Sequence, residues 1–432
     1  MLEYLKPIVD LKNYIDKPLA VGIRYNPLRI NRDDFEKILP YKIERIPFYK
    51  YGYLLKNEQN AGRNPLHAAG VYYIQEPSAM AAITALDVQP DNNVLDLCAA
   101  PGSKSTAIAA ELTDGILVSN EISSMRAKSL MSNIERMGIS RAMVTNCSPD
   151  ELTNTFNGYF DRVLVDSPCS GEGMFRKHPQ VVLQWSIENV LACAKRSKKI
   201  IADAAKMVKP GGRLVYSTCT FNTEENEKVI IDFLNSHTDF RLVDSKIQGA
   251  CPGLLGLTKA ARIYPSECSE GHFIAALERK DGSAHSAIKY FKSNTTQSGC
   301  ENIIKQPFKF IGNNNSRYVV FSTAASKLVI PQVMPKPDKI KILRAGVKIL
   351  EQNFKTQLPC HHLFMANDPE NFCKQIMVDE KNAEKFLSGI PLDISNNISG
   401  FTAVIYKSFC IGFGKASRGV LKNHLPKGLI LS

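Results

Sequence analysis

Through the middle of the chain, short apolar runs alternate with helix-length amphipathic stretches. The runs are Val94–Leu97, Ile116–Asn120, Ala142–Thr145, Arg162–Asp166, Arg213–Thr218 and Phe273–Leu277. Helix-length segments fill 103–112, 122–137, 186–208 and 223–235. Strands alternating with helices predict βαβ units, a mainly parallel sheet and helices on both faces, an α/β fold. Ligands bind such sheets at the carboxyl ends of the strands. Residues just past each run are therefore the candidates for chemistry.

This rhythm occupies 71–280 and is absent on either side. Residues 1–70 are rich in Tyr, Pro, Lys and Arg. They predict a small accessory or RNA-binding N-terminal domain, mainly helical or irregular. Its segment RDDFEKIL (32–39) has helical spacing behind Asn31, a suitable N-cap. Residues 281–300 are polar and Ser/Thr-rich, which predicts a linker. Residues 301–365 mix β-branched runs (FKFI, RYVVFST, KLVI) with the basic segment 335–344 and predict a middle C-terminal domain. Residues 366–432 predict a last small domain ending in short strands. On this division, a cut near residue 285 leaves the α/β unit able to bind its ligand.

Charge separates the two ends. The net charge is +12, and residues 281–432 hold 20 Lys and Arg against 10 Asp and Glu. Such an excess is either a solubilising face or a surface for a polyanion such as RNA. The eleven cysteines include no CxxC pair, and none has zinc-ligand spacing with histidine. With the polar start MLEYLKPIVD, this predicts reduced thiols in a cytoplasmic protein. No run approaches the ~18 apolar residues of a membrane span. Cys360, His361 and His362 are adjacent, and neighbouring side chains rarely converge on one ion, so no metal site is expected. A monomer is expected.

The first strand runs into DLCAAPGSKSTAIAAEL (96–112). Small residues let backbone approach a ligand, and the helix that follows offers free N–H groups to an anion, with Lys104 nearby. The loop is neither GxxxxGK[ST] nor GxGxxG, which argues against a nucleoside triphosphate or a dinucleotide. The second strand ends at Glu121, placed to accept hydrogen bonds from ribose hydroxyls. The alternative is an ordinary solvated glutamate.

Two further strands each deliver a cysteine at the ligand-binding end: Asp166-Ser167-Pro168-Cys169 and Ser217-Thr218-Cys219. A free cysteine is usually a small buried hydrophobe. Two at equivalent strand ends point instead to covalent chemistry. Carbon 5 of cytosine is a poor nucleophile. A thiolate adding to carbon 6 makes carbon 5 nucleophilic toward the methyl of a sulfonium donor. An acid near ring N3 or the amino group would offset charge in the adduct, and Asp166 is the candidate. The thiolate approaches the face of the ring, so the target base must be unstacked, in a loop or opened strand.

At these residues the chain resembles the Nop/Sun group of RNA 5-methylcytosine methyltransferases, and within it the bacterial RsmF-like 16S rRNA enzymes. The matching segments are YYIQEPSAM (72–80), DLCAAPGSKS (96–105), DRVLVDSPCSGEGMFRK (161–177), GGRLVYSTCTFNTEENE (211–227) and GFGKASRGVLKNHLPKGL (412–429). The resemblance implies a class I, Rossmann-like methyltransferase domain that uses S-adenosylmethionine, with a C-terminal PUA-like RNA-binding region. It assigns the nucleophile to Cys219 and a role in product release to Cys169. It assigns cofactor contacts to Cys98, Ala99, Ala100, Pro101, Gly102, Ser103, Lys104, Glu121 and Asp166. It departs at Asn146-Cys147-Ser148, where relatives often carry an acid for the adenine amino group, and at Leu425, where many carry an aromatic residue. The implied partner is rRNA, alone or within the 30S subunit. A tRNA substrate, or a catalytically inactive ribosome-assembly protein on the same fold, stays open at this point.

Overall fold

A computed structural model describes residues 1–432 except 15–16, 20, 57–59, 178–179, 284–287, 296–297, 307–308, 313–316, 353–356 and 432. Parts of the expected linker, and Phe308 of the FKFI run, lie outside the described residues. Among the described residues, no helix is long and apolar enough to cross a membrane.

The N-terminal part corrects the expectation of a mainly helical or irregular domain. Strands β1 (Gly22–Tyr25), β2 (Ile43–Arg45), β3 (Gly52–Leu55) and β4 (Tyr72–Ile74) form an antiparallel sheet in the order β2-β3-β1-β4. Every residue of β1 and β3 is buried. Four-residue strands covered on both faces show no polar alternation, so the period-2 signal is missing. The expected helix is present as α1 (Arg32–Ile38), with Asn31 Oδ1 accepting from Asp34 N at 2.9 Å.

After α2 (Pro77–Leu86) comes the parallel sheet. Its strands are β5 (Asn93–Asp96), β6 (Ile116–Asn120), β7 (Ala142–Thr145), β8 (Phe160–Asp166) and β9 (Val208–Thr218). Helices α3 (Ser103–Ala109), α4 (Ser124–Arg136), α5 (Pro149–Phe156) and α6 (Ile187–Met207) connect them. Alternate residues feed two cores: Leu95, Val118, Val163 and Leu214 face one, and Val94, Leu117, Leu164 and Val215 the other. Burial on both faces explains why these strands read as continuous apolar runs. The spatial order is β9-β8-β5-β6-β7, so the chain leaves β5 first to one side and later to the other. The crevice at that reversal is where ligands of this architecture bind.

Beyond β9, helix α7 (Glu227–Ser236) leads to β10 (Phe240–Val243), β11 (Cys251–Pro252), β12 (Ala261–Ile263) and β13 (His272–Arg279). Strand β13 runs antiparallel to β9. Strands β14 (Tyr318–Ser322) and β15 (Ser326–Pro331) belong to a separate antiparallel sheet with β17 (Val347–Gln352) and β18 (Gln357–Pro359). Between them in sequence, β16 (Ile342–Ala345) leaves that sheet and pairs antiparallel with β7. Helix α8 (His361–Met365) then packs on α4. Its His362 ring lies 3.0 Å from Ile139 O and 3.1 Å from Arg344 Nη1.

The chain ends in α9 (Glu380–Leu387) and a five-stranded sheet of β19 (Gln375–Met377), β20 (Leu392–Asp393), β21 (Gly400–Tyr406), β22 (Phe409–Ser417) and β23 (Val420–Asn423). Neither of its faces forms a core of its own: Ala403, Ile405, Cys410 and Phe413 pack with Val329, Ile349 and Phe364. Phe386, Val404, Ile411 and Leu421 pack in one cluster with Ile23, Phe35, Leu66 and Tyr72 of the N-terminal part.

Candidate active site

The loop after β5 is held from the side by α4. Arg126 Nη2 donates to Ala100 O at 2.8 Å and Asn133 Nδ2 to Pro101 O at 3.0 Å, while Ala99 N donates to Asn120 O at 2.8 Å. Gly102 has φ +108°, and a Cβ there would lie 3.1 Å from Leu130 Cδ1. Only glycine takes that backbone readily, and it keeps the loop tight against α4. Cys98 lies below the loop, where burial first, then the carboxylates of Asp96, Asp166 and Glu121, raise its thiol far above the ordinary range. That environment suits a packed thiol and not a nucleophile.

Asp96, at the end of β5, is buried, with Oδ1 unpartnered among the described residues and Oδ2 accepting from Ser105 Oγ at 2.6 Å. Burial raises it to about 7 against that hydrogen bond. Its folded value lies above the ordinary 3.8, so the folded state binds the proton more tightly. Stability should therefore fall as pH rises from about 4 to about 7. Asp96→Asn, which cannot ionise, should gain on the parent by a few kcal/mol at most, at about 1.4 kcal/mol per unit. Thermal melts at about pH 5 and pH 8.5 read this. An advantage that does not grow with pH would show that Asp96 titrates as an exposed carboxyl does.

Glu121 is 2% exposed at the end of β6. It accepts from Ser123 N at 2.9 Å and lies 3.3 Å from Arg126 Nη1. Asn146 is committed to the same corner: Nδ2 donates to Glu121 O at 2.7 Å and Ile122 O at 2.9 Å, and Oδ1 accepts from Lys341 Nζ at 3.0 Å.

On the other side of β5, the structure gathers four of the expected residues. Lys104 is buried, and its Nζ lies 2.7 Å from Asp166 Oδ2. Ser217 Oγ donates to Asp166 Oδ1 at 2.8 Å. Burial would raise Asp166, but the Lys104 ammonium and the His272 ring outweigh it and hold the carboxyl far below its ordinary range. Burial alone would lower Lys104, and Asp166 reverses that. Asp166 is thus an anion and Lys104 a cation, so the hydrogen-bond donor of the pair is the lysine. Cys169 Sγ and Cys219 Sγ stand 3.4 Å apart. The contact with Cys219, then burial, pushes the Cys169 thiol well above the usual range. Either sulfur can donate to the other across that contact.

The two cysteine loops are tied together by carboxylates that the sequence reading did not single out. Glu172 accepts from Phe221 N at 2.8 Å, Asn222 N at 2.9 Å, Thr220 Oγ1 at 2.5 Å and Trp185 Nε1 at 2.9 Å. Glu225 accepts from Ser170 N at 2.8 Å and Asn222 Nδ2 at 2.7 Å. Glu227 holds Arg262 at 2.5 Å, and Arg262 Nη1 donates to Phe221 O at 2.8 Å. All four of these ionic side chains are buried, and each is satisfied by hydrogen bonds or an opposite charge, as burial demands. The available signal was the density of acids in TFNTEENE directly after a strand-end cysteine. Reading 223–235 as helix concealed it, since α7 begins only at Glu227.

Three family descriptions match parts of the chain. Residues 83–278 match 16S rRNA methyltransferase RsmB/F, residues 6–77 the N-terminal domain of 16S rRNA methyltransferase RsmF, and residues 373–431 the methyltransferase RsmF PUA domain. Ribosomal RNA small subunit methyltransferase F of Vibrio vulnificus (strain YJ016) is 31% identical over 444 residues, spanning 98% of this chain and 93% of the relative. The protein of that name from Shewanella piezotolerans is 32% identical over 454 residues, with 98% and 93% covered. Among solved structures, a methyltransferase homolog protein from Pyrococcus horikoshii matches with TM-score 0.56 at 29% identity, covering 62% of this chain and 89% of its own. NSun6 from Pyrococcus horikoshii with SFG matches with TM-score 0.58 at 21% identity, covering 65% and 97%, and bears on the fold alone. With its N-terminal, catalytic and PUA parts all matched, the chain belongs to the RsmB/F family of RNA methyltransferases.

Proposed function

We propose that this chain transfers the methyl group of S-adenosylmethionine to carbon 5 of a cytosine in 16S rRNA, through a bond between Cys219 Sγ and carbon 6. The observation that carries the reading is the pair of sulfurs 3.4 Å apart at two strand ends, beside a buried lysine–carboxylate pair. Methylation of an exocyclic amino group would need neither cysteine.

The residues divide the work. Either thiol can donate to the other, and the Ser217-Thr218-Cys219 context, which the family resemblance assigns to the nucleophile, favours Cys219 as the thiolate with Cys169 as its donor. As Cys219 Sγ bonds to carbon 6, the ring electrons move toward carbon 5 and N3. Lys104 offsets that charge by donating to the ring, and the Asp166 carboxylate accepts from the exocyclic amino group. When bound, S-adenosylmethionine supplies a methyl carbon activated by its positive sulfur. The carbon-5 proton then passes to solvent water, its electron pair re-forms the double bond between carbons 5 and 6, and the Cys219 thiolate leaves with Cys169 in place to donate to it. For the cofactor, the small-residue loop 98–102 and the buried Glu121 flank one end of the crevice, a donor and acceptor set that fits an amino acid joined to a ribose. The basic region 281–432 would hold rRNA phosphates.

Purified protein given tritiated S-adenosylmethionine and 16S rRNA lacking the modification should yield labelled 5-methylcytosine. Label only in tRNA, or in a base other than cytosine, overturns the reading. Glu121→Ala should weaken cofactor binding by about 1–3 kcal/mol, the cost of charge-assisted hydrogen bonds left unmade. Calorimetry giving the parental affinity would return Glu121 to a packing role with Ser123 and Arg126.

A further inference from the structure

His272 opens β13, where Phe273 lies opposite Thr218 of β9. One more step along that register sets His272 across from Cys219. The side chain is 3% exposed, its Nε2 is 3.6 Å from Asp166 Oδ1, and neither ring nitrogen has a hydrogen-bond partner among the described residues. Buried polar groups are nearly always paired, and the exceptions cluster where a ligand completes the bonding. Asp166 is ionised and can only accept, so the ring hydrogen belongs on Nε2, facing the carboxylate, with Nδ1 left as an acceptor.

We propose that His272 is a positioning residue of the catalytic centre: it fixes Asp166 from the side opposite Lys104, so that the carboxylate presents its free lone pairs to the amino group of the cytosine. The inference rests on the function proposed above. Lys104 holds Oδ2, and Ser217 reaches Oδ1 from β9. Without the imidazole, nothing among the described residues holds Asp166 from the β13 side. The 3.6 Å separation exceeds a hydrogen bond, as pre-catalytic contacts often do before substrate closes them.

The test compares three full-length variants in the methyl-transfer assay. His272→Phe keeps the bulk and removes both nitrogens. His272→Gln places an amide N–H close to the Nε2 position, and His272→Asn places one close to Nδ1. His272→Phe should lower kcat roughly 10- to 100-fold, with KM for S-adenosylmethionine and the melting temperature held near the parent. Gln should restore most of the rate and Asn little of it. A parental kcat for His272→Phe overturns the proposal, and so do equal rates for Gln, Asn and Phe. If Phe does not fold, the Gln-against-Asn comparison decides alone. A parent that makes no 5-methylcytosine would instead sink the function itself.

Discussion

Cys219→Ala should abolish methyl transfer, by on the order of 10⁴-fold or more as for loss of other covalent nucleophiles, and should form no covalent complex with RNA. Cys169→Ala should still attack the base and then stall, leaving protein attached to RNA. The asymmetry follows from the roles proposed for the pair. The sulfurs are 3.4 Å apart, and either can donate to the other. On the proposed reading Cys219 is the anion and Cys169 the donor. Removing Cys169 therefore takes away a donor, not the attacking atom. Denaturing gels of each variant with labelled RNA and cofactor read the outcome directly. A slow-migrating band with Cys219→Ala and none with Cys169→Ala would reverse the roles.

The meeting of the two cysteines is legible in the sequence because its signals are local. A cysteine one to three residues past an apolar run needs only the strand to be recognised, and β8 and β9 are recognisable since both faces are buried. Pairings between distant segments were not legible. Nothing in PKPDKIKILR announces that Ile342–Ala345 leaves its own sheet to cover the edge of β7, because an added edge strand is chosen by an exposed backbone rather than by side-chain pattern. A cut near residue 285 would remove that pairing, so cofactor binding by the shortened chain is expected to weaken. Asn146 N donates to Lys341 O at 3.0 Å, and the Asn146 side chain in turn ties down the backbone at Glu121 and Ile122. The shared core of the two ends was hidden for a related reason. Phe35 and Phe386 each look like the centre of a small domain, and no periodicity says that the two domains meet.

Lys104→Met should lower kcat by about 10²- to 10³-fold while changing the affinity for S-adenosylmethionine only a few-fold. From sequence, Lys104 sits in the cofactor loop and its natural partner is the cofactor's carboxylate. In the structure it is buried, with Nζ 2.7 Å from Asp166 Oδ2. On the proposed reading its charge acts on the electrons that move onto the ring as Cys219 bonds to carbon 6. Donors aimed at developing charge typically contribute factors of this size. The pair is not sealed from water, since the Asp166 side chain is 32% exposed, so the variant should fold with a moderate stability loss. Methionine keeps the apolar stem packed along α3. Single-turnover rates and calorimetry on the one variant separate the two placements. A large loss of cofactor affinity with an unchanged rate at saturation would return Lys104 to the cofactor. A lost rate at unchanged affinity places its charge at the base, where Asp166 already holds it.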